Sequence, residues 1–368
     1  MELFIIRRWD DTHPKNEITN RLEYFDYNIV YNYSSNQTSD FSIAYPYTVR
    51  KEIFQGDFLY APDFKYIGII KSYDSNTGKL IVGDILNAYR YPHVFPSNVV
   101  FTNPAGALID GLNKAKNDYP ELKVDMINWS SDAIPQSRTT INFGSSQQGY
   151  EIVDFWEFAS KLMMQSRGTD QTKGLRIIVD NVVTNGPNGV QINMRLTQTN
   201  SLKTQLAYHQ KESEKDYNRF ITSLDVNDKV LTQNSVILYN KNGDMLSQWY
   251  LDMNTGNVSN QKPNSSQYPI YIGGHIYDTE QKDAPSQYDV AVGQLPINQS
   301  DSFVFTVPTT QKYLNFDDVM TNTLIMLSLV ENDAVVRTLK GSVTTVKISQ
   351  TDFEVSVGMD TPKLKLQI

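Results

Sequence analysis

From Phe25 to Ser34 the chain alternates. Phe25, Tyr27, Ile29, Tyr31 and Tyr33 hold the odd positions, and Asp26, Asn28, Val30, Asn32 and Ser34 the even ones. Successive strand side chains point to opposite faces, so this period of two predicts a strand with one face buried and one wet. Residues 58–61, 66–73 and 80–85 follow as further apolar runs, with a turn at 74–78 between the last two. Several short strands punctuated by turns predict a small antiparallel barrel or sandwich. The residue types agree with this. The chain carries 22 Tyr and 31 Asn against 19 Gly, and aromatics suit a pleated surface as Asn suits turns.

Two helices are expected next. Asn103 caps and Pro104 opens the first, Ala105, Leu108, Ile109 and Leu112 fall at helical spacing, and Tyr119-Pro120 stops it. The second places Ile152, Phe155, Trp156, Ala159, Leu162 and Met163 on one stripe and ends near Gly168. Runs at 122–127 and 175–179 read as strands, which makes this middle third α+β. The polar, charged stretch 209–219 suits a solvated linker or hairpin tip. Strand patterns resume at 236–239, 245–251, 270–276 and 303–307. A helix is expected from Phe316 through Val319, Met320, Leu324 and Leu327. Leu364, Leu366 and Ile368 alternate with Lys363, Lys365 and Gln367, predicting a final strand. The expected division is 1–100 as a first β-barrel-like domain and 101–208 as an α+β domain. A second β-barrel-like domain at 209–307 and a C-terminal α+β segment at 308–368 complete it.

Length and composition narrow the function. At 368 residues, 40% hydrophobic and 20% charged, the chain is globular and long enough for two or three domains. A net charge of −8 argues against a DNA-binding or anionic-membrane surface as its main business. No cysteine is present, so there is no disulfide, thiolate nucleophile or Cys-ligated metal. His13, His93, His209 and His275 are scattered without metal-binding spacing. The segment Leu3 to Ile6 runs into Arg7 and Arg8 and lacks a signal peptide's apolar core, and the apolar run 324–330 is too short to span a bilayer. The expectation is a cytosolically made chain with no stable membrane anchor.

The catalytic motifs tested are missing. There is no G-x-S-x-G elbow, and the segment 144–149 lacks the lysine of a phosphate loop and precedes a helix that it can cap. Asp74-Ser75-Asn76-Thr77-Gly78 is echoed by Asp252-Met253-Asn254-Thr255-Gly256, but a calcium loop's twelfth-position carboxylate is replaced by Ile85 and Pro263. Each is read as a hairpin turn, and the sharper reading makes them traces of two related β domains. A glycosidase carboxylate pair remains open among 41 acidic residues, as does a sugar-binding surface using Trp9, Trp129, Trp156 or Trp249. No catalytic, cofactor or metal residue is assigned.

Two stretches resemble a known family. In the first, Gly56-Asp57 begins a strand, Tyr66-Ile67-Gly68-Ile69-Ile70 forms the next, and 74–78 turns into Lys79-Leu80-Ile81-Val82. In the second, Asn234-Ser235-Val236-Ile237-Leu238-Tyr239-Asn240 is followed by Trp249-Tyr250-Leu251 and the turn to Gly256. With a helical middle segment between them, this order resembles the baseplate hub or tail-associated proteins of long-tailed bacteriophages, related to the trimeric central hub of contractile-tail baseplates. The resemblance implies a β-rich α+β fold with two antiparallel β-barrel-like domains and α+β insertion domains. It also implies a structural, non-enzymatic homotrimer in the virion tail tip, assembled in the host cytoplasm. Its partners would be a hexameric distal tail protein, the tape-measure protein and receptor-binding proteins of the baseplate, with DNA only in transit. Two similar domains per subunit would let a threefold hub mate with a sixfold ring. Longer members carry a C-terminal hydrolase or fibre, and the expectation from a chain stopping at Ile368 is a plug and adaptor without lytic activity. An acidic chain suits a channel that does not retain DNA.

Overall fold

The computed structural model describes residues 2–10, 15–32, 37–44, 53–96, 98–134, 139–142, 150–165, 174–186, 189–199, 201–209, 221–227, 233–252, 257–263, 270–278, 285–295, 302–332 and 334–358. The expected turn at 253–256, the segment 144–149, the polar stretch beyond His209 and the terminal alternation at 363–368 lie outside them.

Six strands form the first unit: β1 (Glu2–Arg7), β2 (Glu17–Asn32), β3 (Thr38–Ile43), β4 (Phe58–Ala61), β5 (Tyr66–Asp74) and β6 (Lys79–Asp84). Their order is β1-β4-β5-β6-β3-β2, and β2 pairs back to β1, so the sheet closes into an antiparallel barrel. Among the described residues closure gives each of the six strands a partner on both sides. The alternation in β2 breaks once. Tyr24 is buried and Phe25 is 59% exposed, because a bulge between Tyr24 and Asp26 shifts the phase before Tyr27 and Ile29 turn inward again. The carbonyl of Phe25 accepts a hydrogen bond from Gln350 Nε2.

An α+β unit follows. It contains β7 (Pro92–Pro96), β8 (Asn98–Phe101), α1 (Pro104–Asp118), β9 (Ile127–Ser131), β10 (Thr139–Asn142), β11 (Tyr150–Asp154), α2 (Phe155–Gln165), β12 (Leu175–Gly186) and β13 (Gly189–Gln198). Asn103 Oδ1 accepts from the Gly106 amide at 3.0 Å, as a capping asparagine should. Two expectations change here. Ile152 lies on β11 opposite Val94 and is 76% exposed, because Asp154 accepts from the Trp156 amide and starts the helix after it. Residues 120–122 form a single 3-10 turn, and the strand begins only at Ile127. This unit's core packs on the outer face of the barrel through Ile6, Phe58, Ile67 and Ile69.

The second β unit is made of β14 (Leu206–His209), β15 (Ser223–Asn227), β20 (Ser302–Pro308), β21 (Leu324–Glu331), β22 (Ala334–Ile348) and β23 (Asp352–Val357). Between β15 and β20 sits a small sheet of β16 (Ser235–Tyr239), β17 (Met245–Leu251), β18 (Val258–Ser259) and β19 (Ile272–Ile276), covered on one face by α3 (Gln287–Gln294). The helix expected from Phe316 is one 3-10 turn, Phe316–Val319. Asn322 follows in the left-handed region (φ 69°), and the apolar run after it pairs with β22 as a strand.

The β-rich α+β class expected from the sequence is the one the chain adopts. One apolar cluster fills both β units: Leu3, Ile5, Phe41 and Ile70 from the first belong to the same core as Phe303, Phe305, Val346 and Val355 from the second. Phe305→Ala is expected to cost about 3–5 kcal/mol. Hydrogen exchange should then show lowered protection in β5 and β6 as well as in β20 and β23. Loss confined to the second unit would mean two independent cores.

Candidate assembly interface

The strand order of the second unit repeats that of the first. Numbering each unit's strands from one to six in chain order, both read 1-4-5-6-3-2: β1-β4-β5-β6-β3-β2 and β14-β21-β22-β23-β20-β15. The registers match residue for residue. Phe58–Ile69, Leu59–Gly68, Tyr60–Ile67 and Ala61–Tyr66 correspond to Leu324–Ser342, Ile325–Gly341, Met326–Lys340 and Leu327–Leu339. The fifth strands carry the same bulge, between Ile70 and Ser72 in β5 and between Val343 and Thr345 in β22. Ser39–Val82, Asp40–Ile81 and Phe41–Leu80 correspond to Phe303–Val357, Val304–Ser356 and Phe305–Val355. One strand departs: β14 takes the place of β1 but runs parallel to β21, whereas β1 is antiparallel to β4.

The two units are fused by a strand pair. Ile29, Val30, Tyr31 and Asn32 of β2 lie opposite Ile348, Lys347, Val346 and Thr345 of β22, so the sheet runs from one unit into the other without a break. Ile29 and Ile348 are both buried at this seam. Phe64 packs on Phe316 with ring centroids 5.9 Å apart, adding a second apolar bridge.

Two buried asparagines clasp the α+β unit across the pair. Asn16, just before β2, accepts at its carbonyl from the Val190 amide (2.9 Å), while its Oδ1 accepts from the Trp9 amide (2.9 Å). Gly189 beside it has φ 91°, and a Cβ there would stand 2.1 Å from the Asn16 carbonyl oxygen. At the second unit, Asn322 Nδ2 donates to the carbonyls of Met163 (2.9 Å) and Leu175 (2.6 Å), and its own carbonyl lies 3.0 Å from Thr199 Oγ1. Arg176 adds an ion pair with Asp317 at 3.6 Å. Buried polar groups held on both sides in this way fix one relative arrangement.

Two carboxyls at these seams are perturbed. Burial pushes Asp57 up to about 6, although the Phe54 amide, Arg7 and Arg8 pull the other way. Burial likewise pushes Asp84 up to about 6, opposed by the Leu86 amide and Lys71. By contrast Asp74 is held below the ordinary range by the Asn76 amide and the Thr77 hydroxyl, both within its own turn. Its carboxylate is therefore occupied as a turn former, in keeping with the hairpin reading over a calcium site.

A cleft of about 510 Å³ lies between the first barrel, β12–β13 and residues 317–321. Its acids are Asp84, Asp180 and Asp317. Asp180 and Asp317 are ion-paired, to Arg195 at 3.0 Å and to Arg176, which leaves them ill suited to proton transfer. Among the described residues no group of three or more His, Asp or Glu is placed to hold a metal ion. The histidines stay apart: His93 on β7, His209 on β14 and His275 on β19, with His13 outside the described residues. Trp156 is half-buried with the Arg90 guanidinium 5.5 Å above its ring, and Trp249 packs edge-on to Tyr288. The two similar β units that the resemblance implies are present as this repeat, but no residue pattern located its strands. The echoed turns do not mark it, since Asp74 closes the hairpin of β5 and β6 while Asp252 sits after β17 in the inserted sheet. The true counterpart of the 74–78 turn is the Ser349–Thr351 link between β22 and β23, where Ser349-Gln350-Thr351 follows the strand as Ser75-Asn76-Thr77 does, without the leading Asp or the closing Gly.

No family model and no curated protein matches this sequence. Among solved structures the chain is similar to a protein of the phage P2 baseplate in its activated conformation, at 11% identity and TM-score 0.44, covering 98% of this chain and 100% of that one. It is similar to prophage tail protein gp18 from Listeria monocytogenes EGD-e, at 11% identity and TM-score 0.46, covering 97% and 94%. It is also similar to the 43 kDa tail protein of prophage MuSo2 from Shewanella oneidensis, at 10% identity and TM-score 0.42, covering 97% and 96%. These are phage baseplate and prophage tail proteins, the class that the sequence resembles.

Asn322→Ala is expected to cost about 2–4 kcal/mol in urea unfolding, through two lost buried hydrogen bonds and left-handed backbone strain. Asn322→Gly should recover only the strain. A second outcome concerns pH. Asp84 has a folded-state value above its unfolded one, so its contribution to stability is full below the ordinary aspartate range and lost as pH rises through about 6. Asp84→Asn, which keeps an acceptor for the Leu86 amide, should therefore be more stable than the parent by about 1 kcal/mol at pH 7.5, with the advantage shrinking towards pH 5. His93 and His275, both lowered by burial, pull the parent's own profile the opposite way, so the difference between the two proteins is the readout.

Proposed function

We propose that this chain is a structural hub of a phage tail tip: a homotrimer that closes the end of the tail tube and opens for DNA ejection during infection. The observation that carries this reading is the barrel strand order occurring twice, in matched register, within one rigidly joined subunit. Such a subunit presents two similar faces, so three copies present six and can seat on a sixfold ring. The clasps at Asn16 and Asn322 suit a part that bears load, because they tie the α+β unit to both β units through the backbone. The sequence resemblance points the same way. The role is mechanical, without catalysis, and its seat is the virion.

The partners that follow are a hexameric distal tail protein on one side, the tape-measure protein within, and receptor-binding proteins of the baseplate outside. DNA meets the hub only in passage, which suits a chain of net charge −8. Sedimentation of the purified chain, alone and with the distal tail protein of the same phage, tests this. The expected outcome is a mass of three chains that binds one tail ring. A chain that stays monomeric at high concentration and is not captured by the ring would overturn the reading. Release of reducing ends from purified cell walls would return the glycosidase alternative.

A further inference from the structure

The ribbon of β7 and β11 has one buried face and one bare one. Tyr91, Phe95, Val153 and Phe155 belong to the α+β core, while Val94 is 59% exposed and its cross-strand partner Ile152 is 76% exposed. The pairing runs past the ends of both strands. The Phe155 amide donates to the Tyr91 carbonyl at 2.9 Å, which sets Arg90 beside Trp156 in the next step. Their side chains meet, with the Arg90 guanidinium 5.5 Å from the centre of the Trp156 ring. Side chains two apart on a strand share a face, so the bare face reads Val94–Ile152, Pro92–Asp154, Arg90–Trp156. An aliphatic pair stands at one end and a cation over an indole at the other, about 13 Å away along four residues of strand.

A second cation is brought to the Arg90 end from the first barrel. Lys71 is the extra residue of the β5 bulge, a device that re-aims a side chain out of its ladder. Its stem crosses Gly83, where an added Cβ would stand 2.5 Å from Lys71 Cε, so glycine at this position leaves the path open. Lys71 Nζ then donates to Asn87 Oδ1 at 3.1 Å, and Arg90 Nη2 donates to the same oxygen at 3.2 Å. Asn87 is buried and holds the two cations side by side. The second unit has the same bulge but fills it with Thr344, whose hydroxyl donates to the Ser356 carbonyl. The acids close by are engaged elsewhere. Asp84 accepts from the Leu86 amide at 2.8 Å, Asp154 from the Trp156 amide at 3.2 Å, and Glu157 pairs with Lys161 at 3.0 Å. Among the described residues no carboxylate is ion-paired with Lys71 or Arg90.

We propose that this face docks an extended acidic segment of a partner protein, with a carboxylate taken by Lys71 and Arg90 and an aliphatic side chain laid on Val94 and Ile152. Charge complementarity selects the occupant. Two cations fixed side by side without a carboxylate suit one that bridges them, and charge-assisted bonds of this kind are the strong ones. Four residues of extended chain span the face, so the acid and the aliphatic residue of the segment stand four apart. Asp154 lies midway and repels a second acid there, which gives the face a register as well as an affinity. The inference uses the first barrel and the α+β unit alone and does not require the trimer.

The probe is a dye-labelled peptide with blocked ends, Leu-Gly-Ser-Gly-Glu, titrated with the full-length chain and read by fluorescence polarisation. Saturable binding is expected, roughly tenfold weaker when Gln replaces the peptide's Glu. The same loss is expected from Arg90→Gln or Lys71→Gln in the protein, each of which keeps a donor for Asn87. Ile152→Ser, a change on the surface, should weaken binding roughly fivefold. A peptide with Glu moved to the middle position should bind no better than the one without Glu. Trp156 emission should change on binding, and Trp156→Phe should remove that change. No saturable binding, equal affinity for the Glu and Gln peptides, or no response to Arg90→Gln and Lys71→Gln would overturn the proposal. Inorganic phosphate binding as tightly as the peptide, with Ile152→Ser silent, would reduce the face to a simple anion site and overturn it too. Each of these results leaves the hub reading standing, because sedimentation tests that by itself.

Discussion

The pairing of β2 with β22 organises the molecule. Four residues on each strand carry one sheet from the first β unit into the second, and Ile29 and Ile348 meet in the core beneath it. Without that seam each six-stranded unit would close or end on its own small interior. With it, aromatic and aliphatic side chains of both units share one apolar volume, which is large enough to be close-packed. The consequence is a subunit whose halves do not move independently. Close packing across both units requires that each seam hold one fixed arrangement.

The polar groups at the seams are consistent with the same requirement. Asn16 and Asn322 hold backbone atoms that belong to different units, and Asn322 does so from a left-handed backbone that stops one segment and starts β21. Gly189 is needed where a side chain would strike the Asn16 carbonyl. Arg7, Arg8 and Asp57 gather where the barrel meets the α+β unit, with Arg7 over the Phe54 ring at 4.3 Å and Arg8 donating to the Leu122 carbonyl at 2.8 Å. Buried charges of this kind are poor sources of net stability and good sources of a unique arrangement. In the cleft the arginines already hold Asp180 and Asp317. The chemistry on display is that of positioning.

Much of the local structure was legible in the residues. The alternation around Tyr27 and Ile29, the apolar runs of β4 to β6, the Asn103-Pro104 start of α1 and the turn at Asp74 each depend on neighbours in sequence, so local pattern suffices to read them. The misreadings have local causes too. Phe25 faces solvent because one bulged residue shifts the phase of β2, and a bulge leaves no mark in hydrophobic periodicity. Ile152 sits at helical spacing from Phe155 and Ala159, yet Asp154 caps between them. Residues 316–327 look helical by spacing, but β22 offers the run from Leu324 a ladder of hydrogen bonds, and that tertiary gain outweighs weak helical preference.

The repeat is a different case. Its two copies share register, bulge position and a glycine at Gly68 and Gly341, but few side chains, because many apolar residues satisfy one buried position. Equivalent strands are also separated by insertions of unequal length, so no fixed period connects them. Residue pattern alone could establish a β-rich chain with a helical middle, without cysteine chemistry and with a turn-forming Asp74. Which strands pair, that the second unit is assembled from 206–227 and 302–357 around an inserted sheet, and that both units share one core had to wait for the folded chain. Strand pairing is a contact between distant segments, and its energy belongs to the pair rather than to either sequence.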